Sequence, residues 1–245
     1  HCRHCRSFHT QRLMDQLLVA LDVDTAARAL ELSDELRDVA GGFKIGSRLF
    51  TAEGPNIVRH MTDRGDRVFL DLKYHDIPSV VADAVRAASD LGVWMVTVHA
   101  AGGADMLVAA KKAAVESSTG LLVVAVTVLT SFNELGLQQV GVTTGISQQV
   151  DNLADLAKDA GVDGVVASPL EITQIRTRCG PTFMIVTPGI RNRQKDTPAD
   201  DQARTVSAAE ALSAGANYLV VGRPIIAAAE PRVAAIDICA KVARQ

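Results

Sequence analysis

From Met14 onward the chain alternates short runs of Val, Ile and Leu with longer Ala-rich stretches whose apolar residues recur at helical spacing. The short runs predict strands at Leu17–Val23, Gly42–Gly46, Val68–Leu72, Val93–Val98, Leu121–Thr127, Gly164–Val166, Phe183–Thr187 and Tyr218–Val221. Helices are expected between them. Thr25–Val39 carries Ala26, Ala29, Leu30, Leu32 and Leu36, and Val80–Leu91 and Asp151–Ala160 repeat the pattern. Asp24-Thr25 and Asp163-Gly164 supply cap or turn chemistry. Such alternation predicts parallel strands joined by helical crossovers. About 230 residues over eight units leaves roughly 29 per unit, close to the norm for a (β/α)8 TIM barrel. The competing architecture is an open doubly wound sheet. That would leave the eighth unit unexplained and usually opens on a Gly-rich first turn, whereas the first turn here reads Asp22-Val23-Asp24-Thr25. No dinucleotide-binding or P-loop glycine motif occurs. The expectation is a single-domain α/β barrel over residues 14–245.

Composition narrows the function classes. A 245-residue chain that is 48% hydrophobic has ample material for a core and is not a disordered chain. Its longest apolar run, Leu121–Leu129, is interrupted by Thr127 and is far short of the roughly 20 residues of a membrane span. Twenty-five Lys and Arg against 28 Asp and Glu give a net charge of −3, no basis for gripping nucleic acid or an anionic bilayer. Cys2, Cys5, Cys179 and Cys239 are too few for a disulfide framework in a chain this long. No secretory apolar region follows the N-terminus, so a reducing, cytoplasmic setting is expected.

The segment His1–Leu13 holds three Arg, three His, two Cys and no acid, with no apolar period. It reads as an expression remnant or misassigned upstream sequence. Cys2 and Cys5 have ligand-like spacing, but without a second cluster no metal site is expected.

Four predicted strands end in charged or titratable residues where a core strand should end apolar: Asp22, Lys44, the Asp71–Lys73 pair, and His99. In a barrel of this type the C-terminal strand ends carry the chemistry. Strand period two puts Asp71 and Lys73 on one face, with Leu70 and Leu72 toward the helices. Asp76 follows in the loop. Charges in such a place are costly unless paired, and these residues can pair with one another. The bland alternatives are an ion-pair plug in the barrel mouth, a helix-capping Asp22, and a His99 whose hydrogen bonds are met in the core. At the far end, Thr187-Pro188-Gly189-Ile190-Arg191 and Val221-Gly222-Arg223-Pro224 each set a glycine beside an arginine. Glycine admits close approach of an anion, arginine forks onto phosphate oxygens, and Pro224 suits the first turn of a helix. The polar stretch between Gly189 and Val206 is expected to be a lid over substrate. Thr130 and Ser131, after the fifth strand, offer hydroxyls to a heterocycle edge or simply start a helix.

Taken in order, Val19–Asp22, Phe43–Gly46, Asp71–Pro78, Val126–Ser131, Thr187–Arg191 and Gly222–Pro224 resemble the bacterial type of the orotidine 5′-phosphate decarboxylase family, from Leu17 to the last helix. The D-x-K-x-x-D-I-P stretch is the specific part. The resemblance implies a homodimeric barrel that converts orotidine 5′-monophosphate to UMP with no cofactor and no metal. It implies a charged array of Lys44, Asp71, Lys73 and Asp76, with Asp76 and Ile77 donated across the dimer and Lys73 as proton donor. Asp22 and Lys44 would hold ribose hydroxyls, and Thr130 and Ser131 the pyrimidine. Pro188, Arg191, Gln202, Gly222 and Arg223 would complete the pyrimidine and phosphate grip. The family usually has Asn-Thr after Ile77-Pro78. Here stand Ser79 and Val80, and Val80 lacks a hydroxyl worth about 1 kcal/mol to the ribose.

Two other functions fit the same barrel. One is a metal-dependent keto-hexulose-phosphate decarboxylase or aldolase, which commonly carries a Glu on strand 2 where this chain has Lys44. The other is a non-catalytic nucleotide-binding barrel.

Overall fold

The computed structural model describes residues 13–190 and 206–242. Eight parallel strands pair in chain order and close into a barrel: β1 (Leu17–Ala20), β2 (Gly42–Gly46), β3 (Val68–Tyr74), β4 (Met95–His99), β5 (Leu122–Val126), β6 (Gly164–Val166), β7 (Met184–Pro188) and β8 (Tyr218–Val221). Both faces of such a sheet are covered, so its strands read as continuous apolar runs. Leu18, Ala20, Phe69, Met95, Val124, Val186 and Val220 point inward and fill the barrel. Their neighbours Leu17, Val19, Leu21, Leu70, Val96, Val123 and Ile185 point outward and join the shell beneath the helices.

The outer layer comprises α1 (Ala26–Leu36), α2 (Ser47–Glu53), α3 (Pro55–Asp63), α4 (Pro78–Asp90), α5 (Ala104–Glu116), α6 (Glu134–Gln139), α7 (Ile146–Asp159), α8 (Ile172–Cys179), α9 (Ala208–Ala214), α10 (Arg223–Ile226) and α11 (Pro231–Val242). Thr25 caps α1 by accepting the Arg28 N–H, as its sequence position suggests. Asp163 does something else. It receives Lys111 Nζ at 2.7 Å and the Val123 N–H at 2.8 Å, tying α5 to the starts of β5 and β6. Gly164 is a packing glycine, since a Cβ there would fall 2.2 Å from the Met184 carbonyl.

Element limits differ in informative ways. β1 stops at Ala20, and β4 runs on through His99. β3 extends to Tyr74 but leaves the ladder: Leu70 pairs with Val96, and the next pair is Tyr74 with Val98. The second long helix of the sequence reading begins at Pro78, whose fixed φ suits a first turn, and the third begins at Ile146. Among the described residues, no helix is long and apolar enough to cross a membrane. Cys179 and Cys239 are buried free thiols.

Candidate active site

The charges foreseen at the strand ends meet in one row. Lys73 Nζ donates to Asp71 Oδ1 at 2.9 Å, Lys44 Nζ lies 3.5 Å from Asp71 Oδ2, and Lys44 Nζ also donates to Asp22 Oδ1 at 3.1 Å. Signs therefore alternate along Asp22, Lys44, Asp71 and Lys73. The central pair is the most enclosed, with 12% of each side chain exposed, against 36% for Lys73 and 47% for Asp22. Burial of charge at the centre is offset by a partner on each side, while the two ends stay open.

Local structure makes this geometry. Lys44 and Asp71 project inward from neighbouring strands, where Gly46 pairs with Asp71. Gly46 leaves the room that Lys44 uses: a Cβ there would sit 3.0 Å from Lys44 Nζ and 3.5 Å from Asp22 Oδ1. Arg48, in the first turn of α2, donates to the Asp22 carbonyl at 3.2 Å and to Asp24 Oδ1 at 2.9 Å, steadying the turn after β1.

The row borders a cavity of about 400 Å³ at the C-terminal mouth of the barrel. Asp22, Lys44, Asp71, Lys73, Thr130, Ser131, Pro188, Gly222 and Arg223 all line it. Gly189 has φ +81°, a conformation glycine adopts without strain, and turns the chain at the cavity wall. Gly222 packs against the first strand, where a Cβ would lie 3.4 Å from Ala20 Cβ and 3.6 Å from Asp22 Oδ2. Thr130 and Ser131 do not start a helix; α6 begins later, capped by Asn133. The sequence reading missed the facing wall of Val126, Val128, Val166, Ala167 and Ile190. Ordinary β-forming residues carry no chemical signal of their own.

Two foreseen residues stand apart. Asp76 is exposed and accepts its neighbour's Ile77 N–H at 2.7 Å; among the described residues it makes no ion pair. Ile77 is 62% exposed at the start of α4. Neither lines the cavity of its own chain. Arg191, Gln202 and most of the expected lid lie outside the described residues.

His99 departs from the expected core histidine. Its Nδ1 is buried and finds no hydrogen-bond partner among the described residues, and its ring lies 5.4 Å from that of His75. Burial holds its pKa below the ordinary histidine value, with help from His75 and the Lys73 charge and against the pull of Asp71. Among the described residues, no three His, Cys, Asp or Glu side chains gather as a metal ligand set.

The model of the orotidine 5′-phosphate decarboxylase / HUMPS family matches residues 15–238. The chain belongs to that family. A protein of Moorella thermoacetica named orotidine 5′-phosphate decarboxylase is 50% identical over 234 residues, covering 93% of this chain and 92% of its own. One of the same name from Saccharophagus degradans is 48% identical over 229 residues, covering 94% and 95%. The crystal structure of orotidine 5′-phosphate decarboxylase from Lactobacillus acidophilus superposes with a TM-score of 0.78 at 34% identity, covering 92% of this chain and 98% of that one.

Proposed function

We propose that this chain is a carboxy-lyase that removes CO2 from orotidine 5′-monophosphate to give UMP, the last step of pyrimidine synthesis. The observation that carries the reading is the alternating row Asp22–Lys44–Asp71–Lys73 on the wall of a nucleotide-sized cavity, in a chain half identical to decarboxylases of that name.

Chemistry dictates what the row must do. The bond from C6 of the pyrimidine to its carboxylate breaks, and the electron pair stays on C6. Lys73 supplies a fixed cation beside that carbon and transfers one Nζ proton to it, giving UMP and a neutral amine that solvent recharges. Charge already in place, in a site poor in water, stabilises such an anion without reorganisation at the moment of reaction. Asp71 holds the ammonium, and Lys44, on its other oxygen, orients Asp71. Asp22 and Lys44 take the ribose hydroxyls, Thr130 and Ser131 the pyrimidine, and Pro188 packs beside the ring. Gly222 and Arg223, with Arg191 and Gln202, take the phosphate and close the pyrimidine side.

We further assign a homodimer in which Asp76 and Ile77 complete the partner's site. Their exposure, and the fact that neither lines the cavity of its own chain, support it. A biosynthetic enzyme acting on a free nucleotide belongs in the cytoplasm.

The rival metal-dependent reaction on a keto-hexulose phosphate commonly uses a Glu on the second strand, where Lys44 stands. The purified protein should consume orotidine 5′-monophosphate, followed by its ultraviolet absorbance, at a rate that EDTA does not change. No loss of the nucleotide, together with turnover of a keto-hexulose phosphate that EDTA abolishes, favours the rival. Nucleotide binding with no turnover favours a silent barrel.

A further inference from the structure

The strand that presents Lys73 does not end regularly. Between its pairs with Val96 and Val98, β3 advances four residues while β4 advances two. Inside that interruption Lys73 has φ +52°, one of two non-glycine residues in the left-handed region among the described residues. A side chain with a Cβ avoids that conformation unless its surroundings over-determine it.

The surroundings here are Thr97, on β4 and wholly buried. Its Oγ1 accepts the Lys73 backbone N–H at 2.8 Å. An amide can only donate, so the hydroxyl proton is free to go elsewhere, and Asp71 Oδ1 accepts it at 3.0 Å. The same carboxylate oxygen receives the Lys73 ammonium at 2.9 Å. One hydroxyl thus ties the backbone of Lys73 to the carboxylate that its side chain grips. Thr97 does not itself line the cavity.

We propose that Thr97 is a positioning residue for the decarboxylation: its hydroxyl locks the left-handed turn at Lys73 and thereby aims the ammonium at the reacting carbon. The inference rests on the reading of Lys73 as proton donor. Replacing the hydroxyl by a methyl leaves the Lys73 N–H without its acceptor and takes from Asp71 Oδ1 one of its two donors, the Lys73 ammonium remaining. The turn then relaxes and the ammonium shifts. Because that aim matters only as C6 becomes an anion, the loss falls on kcat and not on nucleotide binding.

The test measures kcat and KM for orotidine 5′-monophosphate, the UMP dissociation constant and the thermal midpoint in the wild type, Thr97→Val and Thr97→Ser. Thr97→Val should lose at least about tenfold in kcat, equal to one contact of about 1.4 kcal/mol in the transition state. UMP affinity should stay within about threefold, under 1 kcal/mol. Thr97→Ser, which keeps the hydroxyl, should stay within about threefold of the wild-type kcat. If Thr97→Val does not fold, Thr97→Ala is read by the same split. A wild-type kcat in Thr97→Val, equal losses in the Val and Ser variants, or a loss confined to UMP affinity would each overturn the proposal. A wild type that leaves the nucleotide unchanged would overturn the functional reading instead.

Discussion

Asp71 is the residue both lysines reach, with Lys73 at 2.9 Å and Lys44 at 3.5 Å. A single enclosed carboxylate between two ammonium groups explains why three charges can stand at the end of apolar strands: each is neutralised in place, and removing one strands the others. Gly46 tests how finely this is set. Gly46→Ala would bring a methyl to 3.0 Å from the mobile end of Lys44, so the side chain can yield with little strain on the fold. The expected result is a KM several-fold higher, the loss of about 1 kcal/mol of ribose contact, with a thermal midpoint close to wild type. An unchanged KM would show that Lys44 does not need that space. These charges were legible in the sequence because Asp22, Lys44, Asp71 and Lys73 interrupt runs that should be apolar. Thr97 was not. Threonine is an ordinary strand residue, and nothing in its spacing distinguishes a hydroxyl that bridges two functional groups from one that merely packs. The orphaned Nδ1 of His99 was hidden for a similar reason, since burial is visible in sequence and a missing partner is not.

At the scale of elements, β3 shows how a right assignment can have an incomplete cause. Alternation places Asp71 and Lys73 on one face, and both do line the cavity. Yet the strand reaches that arrangement through a break in its ladder, which a strict period of two does not contain. Strand starts and ends also moved, because Pro188 and His99 still pair while Val93 and Phe183 do not. The turn after β6 carries a second feature invisible to pattern. Glu171 accepts the Ser168 N–H at 2.9 Å in a capping box, next to cavity-lining Ala167, and burial pushes its pKa up to about 7. Between the ordinary carboxyl value of 4.5 and about 7, the folded chain keeps a proton that the unfolded chain has lost. The stability from this group is therefore full below that window and declines as pH rises through it, by up to about 3 kcal/mol. Thermal melts at pH 5 and pH 8 should differ by less in Glu171→Gln than in the wild type. Equal differences would mean that the Glu171 carboxyl titrates normally.

For the whole molecule, barrel closure follows from counting units: eight strand–helix repeats leave no unpaired edge, and every charged strand end then falls at one mouth. The sequence could place the mouth but not its apolar wall, and it could not decide whether Asp76 serves its own chain or another. Asp76 and Ile77, exposed and not lining the cavity of their own chain, make the second choice the one to measure. The central claim is that one ammonium, Lys73, clamped by Asp71 of its own chain and by Asp76 of a partner, neutralises the anion left by CO2. Lys73→Ala and Asp76→Ala proteins should each be close to inactive while remaining folded. Co-refolding equal amounts should restore roughly a quarter of wild-type activity, since half the dimers are mixed and each mixed dimer holds one intact site of two. Substantial turnover by Lys73→Ala alone, or no recovery on mixing two folded, inactive variants, would contradict the account.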